Sequence, residues 1–344
     1  MPWPQILRRR APPALVASHP NVVFLASDAR YLPLAWRLAR DAAAEPARNF
    51  DVVLLVLRGG GAALPPAPPG CAVAGVALPR WVRRWPVPAH MSIANYTRLF
   101  AADAWLAPWQ RALYLDSDIL LAGPLAPLFD LDLGGALAAL SEDCGYCRRD
   151  AAGEAARAAM LRAIWLDPGH TYFNAGVILF DVALWRAADV TRQLARFKDV
   201  QAPLSGSVDQ DFVNFIVRDR AVELSPRWNF QTHYLGLGLE DLMAPRVFHY
   251  LDILKPWRDP EWAQVYDPAH AAAFAARLQG QGDAAALRKR AHPDAVFAGH
   301  AARVLYERPA VRDRVVRRVA AALPRYADLT PDEKTAWARG LAAP

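Results

Sequence analysis

Cysteine is scarce in this chain, with three among 344 residues: Cys71, Cys144 and Cys147. So few, and an odd number, exclude a disulfide scaffold, and a reducing cytoplasm is the simplest expectation. Lysine is nearly as rare. Four lysines (Lys198, Lys255, Lys289 and Lys334) stand against 36 arginines, a bias that reads as base composition and makes each lysine position informative. No run of about 18 apolar residues occurs, so no membrane-spanning helix is expected. The longest apolar stretches are Val52–Leu57, Leu133–Leu140 and Ala175–Phe180. The stretch Ala11–Ala17, behind Arg8, Arg9 and Arg10, is short and holds Pro12 and Pro13, which makes a poor signal peptide. There is no internal repeat and no long low-complexity tract.

What is present is apolar. Hydrophobic residues make up 54% and charged residues 22%, ample for a sizeable core and incompatible with general disorder. By length, one large α/β domain with an appendage fits as well as two domains. The formal net charge of +6 is unevenly spread. Residues 1–10 carry +3 and residues 303–325 carry +5, whereas residues 11–302 carry −1. The basic character therefore belongs to the ends, where it favours an anionic surface.

Strand-like runs alternate with helical ones. Asn21–Ser27, Phe50–Leu57, Ala72–Leu78 and Ala112–Leu115 read as strands, and Leu34–Ala44 reads as a helix. Ser92 is placed to cap a helix running to about Trp105. Ala136–Ser141, Tyr172–Phe180 and Arg246–Leu251 are further strand candidates, with helices over Val182–Phe197 and Val208–Val217. This alternation predicts a Rossmann-like α/β layer. Three segments are expected: a basic, Pro-rich extension over 1–20, a catalytic domain over 21–258, and a helical, basic region over 259–344.

Four short segments hold candidate chemistry. Asp116-Ser117-Asp118 ends a strand, and two carboxylates two residues apart on extended backbone point the same way. At the mouth of an α/β sheet such a pair suits Mg²⁺ or Mn²⁺, although the same triplet alone also suits a solvated turn. His249 and the rare Lys255 lie six residues apart, before Pro256-Trp257. The first offers a metal ligand and the second a charge for phosphate. Asn174-Ala175-Gly176 begins an apolar strand, where an amide and bare backbone can approach a ligand. Asp209-Gln210 opens a helix, where an acid also simply complements the dipole.

In this order and spacing the four segments resemble glycosyltransferase family 8, over about Val22 to Trp257. The resemblance implies a GT-A fold and a metal-dependent, retaining enzyme. It would move a hexose, galactose or glucose, from a UDP-sugar to a hydroxyl of a saccharide or glycolipid acceptor. Lipopolysaccharide or other cell-surface glycan synthesis is the implied setting. The site residues follow from the same resemblance. Ala26 and Asp28 match positions that hold the uracil and ribose end of the nucleotide, and Arg98 matches an arginine that contacts the donor. Asp116, Asp118 and His249 match the metal ligands, for Mn²⁺ or Mg²⁺, and Lys255 the lysine on the diphosphate. Asp143, Asn174, Ala175 and Gly176 match residues beside the donor sugar, and Asp209 and Gln210 the pair under the reacting carbon. Two positions depart from the pattern: Asp252 stands where the family has Gly, and Arg30 where Asn is common. Asp252 motivates an alternative, a sugar-nucleotide-binding protein with weak or no turnover.

Other features carry less. Cys144-x-x-Cys147 lacks the further ligands that zinc needs, and bland thiols are expected. Trp81, Trp85 and Trp105 suit core packing better than an acceptor groove. Val311, Val315, Val319 and Leu323 recur every four residues, with Arg314, Arg317 and Arg318 largely off the stripe. Such a basic amphipathic helix suits either peripheral contact with anionic lipid at the inner face of the membrane or packing on the catalytic domain. No nucleic-acid module appears, and no nucleic-acid partner is expected.

Overall fold

The computed structural model of the chain describes residues 15–58, 63–85, 87, 92–147, 151–200, 208–235, 237–251, 255–257, 268–278 and 309–343. The elements run β1 (Asn21–Ser27), α1 (Leu32–Ala43), β2 (Phe50–Leu57), β3 (Ala72–Val76), α2 (Thr97–Ala104), β4 (Arg111–Leu115), β5 (Ile119–Leu121) and β6 (Ala138–Ser141). They continue with α3 (Cys144–Cys147), α4 (Ala151–Ala163), β7 (Val177–Asp181), α5 (Val182–Ala187), α6 (Val190–Val200), α7 (Val208–Val217) and β8 (Ala221–Leu224). The last are β9 (Phe230–Gln231), α8 (Glu240–Met243), β10 (Val247–His249), α9 (Pro268–Leu278), α10 (Pro309–Ala322) and α11 (Pro331–Ala342).

Seven strands form one mixed sheet in the order β3-β2-β1-β4-β7-β6-β8. The pairs from β3 to β4 are parallel, and β7 runs antiparallel between β4 and β6. Both faces are covered, so β1 and β2 carry near-continuous apolar runs and β1 is buried along its whole length. A second sheet, β5-β10-β9, stands beside the end of β4. Its register positions the site. Leu115 pairs with Val177 in the large sheet, and Ile119 pairs with His249 in the small one. The Asp116-Ser117-Asp118 triplet links β4 of the large sheet to β5 of the small one.

Several elements differ from the sequence pattern for local reasons. Asp116–Asp118 is a turn joining two strands, not continuous extended backbone, and the strand β5 that follows was not read. Ser92 does accept a hydrogen bond as a cap, from the Ala94 N–H, but it opens a 3-10 turn over Ile93–Tyr96 before α2 begins. The expected Val182–Phe197 helix breaks at Ala188-Asp189, where Asp189 takes φ +50°. Of Tyr172–Phe180 the second half becomes β7, while Phe173 makes only an isolated bridge to Glu142. Trp85 and Trp105 are buried, and Trp85 packs edge-on against Tyr96 and tilted against Phe212, so they are core residues. Cys144 is buried, and its backbone N–H is held by the Gln231 side chain.

The stripe on α10 faces inward. Val311, Val315 and Val319 are buried in a cluster with Phe230, Tyr234, Phe248, Tyr326 and Trp337. Burying each valine is worth about 1.5–3 kcal/mol. Of the two readings of that stripe, the structure shows the packing one: its apolar face is covered by the protein itself. No helix among the described residues is long and apolar enough to cross a membrane. Arg318 of the same helix binds the buried Glu142 carboxylate through Nε at 2.9 Å and Nη2 at 2.6 Å. Arg318→Ala strands that carboxylate. Because Arg318 is a third exposed, the expected cost is about 2–3 kcal/mol, below the ~3–5 kcal/mol of a fully buried pair. Urea unfolding measures it, and an unchanged midpoint contradicts the anchoring.

Candidate active site

A cleft of about 250 Å³ opens where the two sheets meet. Its wall is formed by the ends of β1, β4 and β10, the start of β7, and the first turn of α7. Twelve of the thirteen residues expected at the site line it: Ala26, Asp28, Arg98, Asp116, Asp118, Asn174, Ala175, Gly176, Asp209, Gln210, His249 and Lys255. The thirteenth, Asp143, stands behind the wall and reaches it by accepting a hydrogen bond from Gln210 Nε2 at 2.9 Å. Asp252 lies outside the described residues. Arg30 does not line the cleft; its guanidinium lies over the Tyr31 ring, 5.2 Å from the centroid.

Asp116, Asp118 and His249 each offer one ligand atom, all within 4.8 Å of one another. His249 Nε2 lies 3.3 Å from Asp118 and 3.8 Å from Asp116. That nitrogen is buried and makes no hydrogen bond. An orphaned imidazole nitrogen facing two carboxylates is a donor set that fits a divalent cation. Gly176 makes the approach possible, because a Cβ there would lie 2.0 Å from His249 Cε1.

The remaining charges are cross-braced. Lys255 Nζ sits 2.8 Å from Asp118 and donates to the Tyr250 carbonyl at 2.6 Å. Burial alone would raise the Asp118 carboxyl, but the Lys255 ammonium beside it holds it well below the usual carboxylate range. Arg98 is buried between Asp116, at 2.9 Å, and Asp209, at 3.3 Å, and it also donates to the carbonyls of Asn95 and Ala175. Burial pushes the Asp209 carboxyl up, and Arg98 only partly offsets this. Asp28 accepts from the N–H groups of Arg30 and Tyr31 and from Ser92 Oγ at 2.5 Å, which fixes the loop after β1.

A family model described as glycosyl transferase family 8 matches residues 83–261, just over half the chain. The chain belongs to glycosyltransferase family 8. Among the curated relatives of this family 8 chain, glycosyltransferase GlyF of Streptococcus pneumoniae serotype 4 is 27% identical over 198 residues, 51% of this chain and 44% of that protein. The lipopolysaccharide 1,2-glucosyltransferase of Escherichia coli K12 is 28% identical over 184 residues, 50% of this chain and 51% of that protein. The chain spans about half the length of these curated relatives. Among solved structures, the galactosyltransferase LgtC in complex with donor and acceptor sugar analogs aligns with a TM-score of 0.58 at 24% identity, covering 75% of this chain and 95% of LgtC. That likeness is one of fold, and the fold is the expected GT-A architecture.

Two residues of this family 8 site escaped the sequence reading. Tyr114 donates its hydroxyl to Asp116 at 2.6 Å, and Arg98 lies over its ring at 4.3 Å. Its position two residues before Asp116, on the same strand face, was a readable signal. Asn229 donates its NH₂ to Asn174 Oδ1 and presents its amide oxygen to His249 Nδ1, each at 2.9 Å. It sits between a 3-10 turn and the two-residue β9, and no local pattern marks it.

Proposed function

We propose that this protein is a metal-dependent, retaining hexosyltransferase that moves galactose or glucose from a UDP-sugar to a hydroxyl of a saccharide or glycolipid acceptor. The observation that carries the reading is the buried, unbonded His249 Nε2 facing Asp116 and Asp118, with Lys255 beside them. Asp116, Asp118 and His249 would hold Mn²⁺ or Mg²⁺, and when bound the cation supplies Lewis acidity to the diphosphate. The likeness to an enzyme named for lipopolysaccharide glucosylation supports a hexose donor and a cell-surface glycan acceptor. A cytoplasmic location belongs to the same proposal. The alternative of binding without turnover rested on Asp252, outside the described residues.

The chain's own groups have distinct tasks in this reading. Lys255 supplies a fixed positive charge where the leaving diphosphate gains negative charge. Gln210 is held at both ends: its amide oxygen accepts from the Ala175 N–H at 3.1 Å and from Asn174 Nδ2 at 3.2 Å, and its NH₂ donates to Asp143. A neutral amide so tied favours a fixed dipole under the reacting carbon over a nucleophile, which supports front-face attack with the departing phosphate oxygen taking the acceptor proton. Asp209, engaged by Arg98, is likewise not poised as a free nucleophile.

The test is donor hydrolysis across a panel of UDP-sugars with Mn²⁺, comparing wild type with Asp116→Ala. Wild type is expected to turn over at least one donor. The variant is expected to fall by more than ~100-fold, since even indirect partners of a metal typically cost about 10- to 100-fold. Equal activity in both overturns the assignment. Melting curves of the variant check that the freed Arg98 has not unfolded it.

A further inference from the structure

The hydrogen bonds behind the cleft have one polarity. The Gly176 backbone N–H, which can only donate, gives its proton to Asn174 Oδ1 at 3.0 Å. The atom of Asn229 that meets the same oxygen at 2.9 Å must therefore be its NH₂. The Asn229 oxygen then faces His249 Nδ1 at 2.9 Å, and an oxygen acceptor there requires that Nδ1 carry the proton. The other end agrees. The Ala175 backbone N–H donates to Gln210 Oε1, Asn174 Nδ2 donates to the same oxygen, and Gln210 Nε2 donates to the Asp143 carboxylate. Two backbone donors and one carboxylate thus fix every amide between Asp143 and His249. Asn229 is fully buried.

We propose that Asn229 is a positioning residue that locks His249 in the Nδ1–H tautomer, aims its Nε2 lone pair at Asp116 and Asp118, and ties this metal ligand to the Asn174–Gly176 segment. The proposal rests on the metal reading above. The hydrogen bond made by one ring nitrogen decides which nitrogen binds a metal, and residues so placed set both ligand orientation and affinity. An amide in this role does more than a carboxylate. Its acceptor holds the histidine while its donor holds Asn174, so a shift of Asn174 reaches His249 through a single side chain.

The experiment combines NMR of metal-free, ¹⁵N-histidine-labelled protein with Mn²⁺ titration by electron paramagnetic resonance. A His249→Gln sample assigns the His249 signals. Wild-type His249 is expected to carry a proton on Nδ1, where Asn229 accepts it; an unprotonated Nδ1 overturns the proposal outright. In Asn229→Ala the Nδ1–H preference is expected to vanish and Mn²⁺ affinity to fall about 10- to 100-fold. Asn229→Asp keeps the acceptor for His249 but loses the donor to Asn174. It is expected to keep the tautomer and the Mn²⁺ affinity while its KM for the donor rises. A folded Asn229→Ala protein with wild-type tautomer and affinity overturns the proposal; should that variant not fold, an unprotonated Nδ1 in Asn229→Asp does so. If wild type binds no Mn²⁺, the metal reading fails, and the tautomers still decide the role of Asn229.

Discussion

Gly176→Ala is expected to abolish Mn²⁺-dependent activity while leaving most of the fold intact. The added Cβ would lie 2.0 Å from His249 Cε1, 2.7 Å from its Nδ1 and 2.9 Å from an Asp116 oxygen. Such contacts cannot be relieved by a swinging side-chain tip. The imidazole is buried and tethered to Asn229, and Asp116 is held by Arg98, Tyr114 and the Gly176 carbonyl, which accepts from its backbone N–H at 2.8 Å. Gly176 has an ordinary negative φ, so space and not backbone conformation excludes alanine. The ring must leave the carboxylates, and Mn²⁺ affinity is expected to fall by more than ~100-fold, above the usual effect of an indirect partner. Overpacking itself costs about 1–3 kcal/mol. Manganese titration and urea unfolding separate the two effects, and wild-type affinity in the variant would show that the ring has room to move.

Arg98→Met is expected to lose about 3–5 kcal/mol of stability as well as activity. The guanidinium is buried and serves two carboxylates and two carbonyls from one rigid fork. Its removal leaves Asp116 and Asp209 facing each other without compensation. Arg98→Lys is not expected to rescue, because one ammonium lacks the fork that reaches all four acceptors. The pH dependence follows from Asp209, whose carboxyl is already raised by burial. A raised folded-state value means the folded protein holds the proton more tightly than the unfolded chain. That contribution to stability is present at low pH and is lost as pH climbs from the ordinary value of 3.8 through the folded one. Without Arg98 the upward shift grows. The deficit of Arg98→Met in urea unfolding is therefore expected to be smaller at about pH 5 than at about pH 8, and equal deficits contradict this account.

Much of the α/β layer was legible because its apolar periods and their ends coincide. Asn21–Ser27, Phe50–Leu57 and Val208–Val217 form over the residues their patterns mark. The break at Asp189 was not legible, since the apolar pattern runs through it and only a left-handed residue interrupts the helix. Asn174-Ala175-Gly176 was legible as a place where an amide and bare backbone approach a ligand, but not as the residues that precede β7 rather than belong to it. The aspartates, His249 and Lys255 were legible as a spaced set, and the structure gathers them in one cleft. Asn229 was not, because its importance depends on β9 pairing with β10, and a two-residue strand carries no periodicity. The valine stripe of α10 was legible as a stripe. What it packs against was not, because the partners Phe230, Tyr234 and Phe248 lie some 60 to 90 positions away.

The central claim is that Asp116, Asp118 and His249 together hold one divalent cation. Its most direct test is Mn²⁺ titration of the metal-free protein, read by electron paramagnetic resonance in the presence of UDP, on wild type and Asp118→Ala. The account predicts saturable binding of a single ion in wild type and an affinity lower by more than ~100-fold in the variant. Equal affinity in the two proteins, or no saturable binding in wild type, would contradict it.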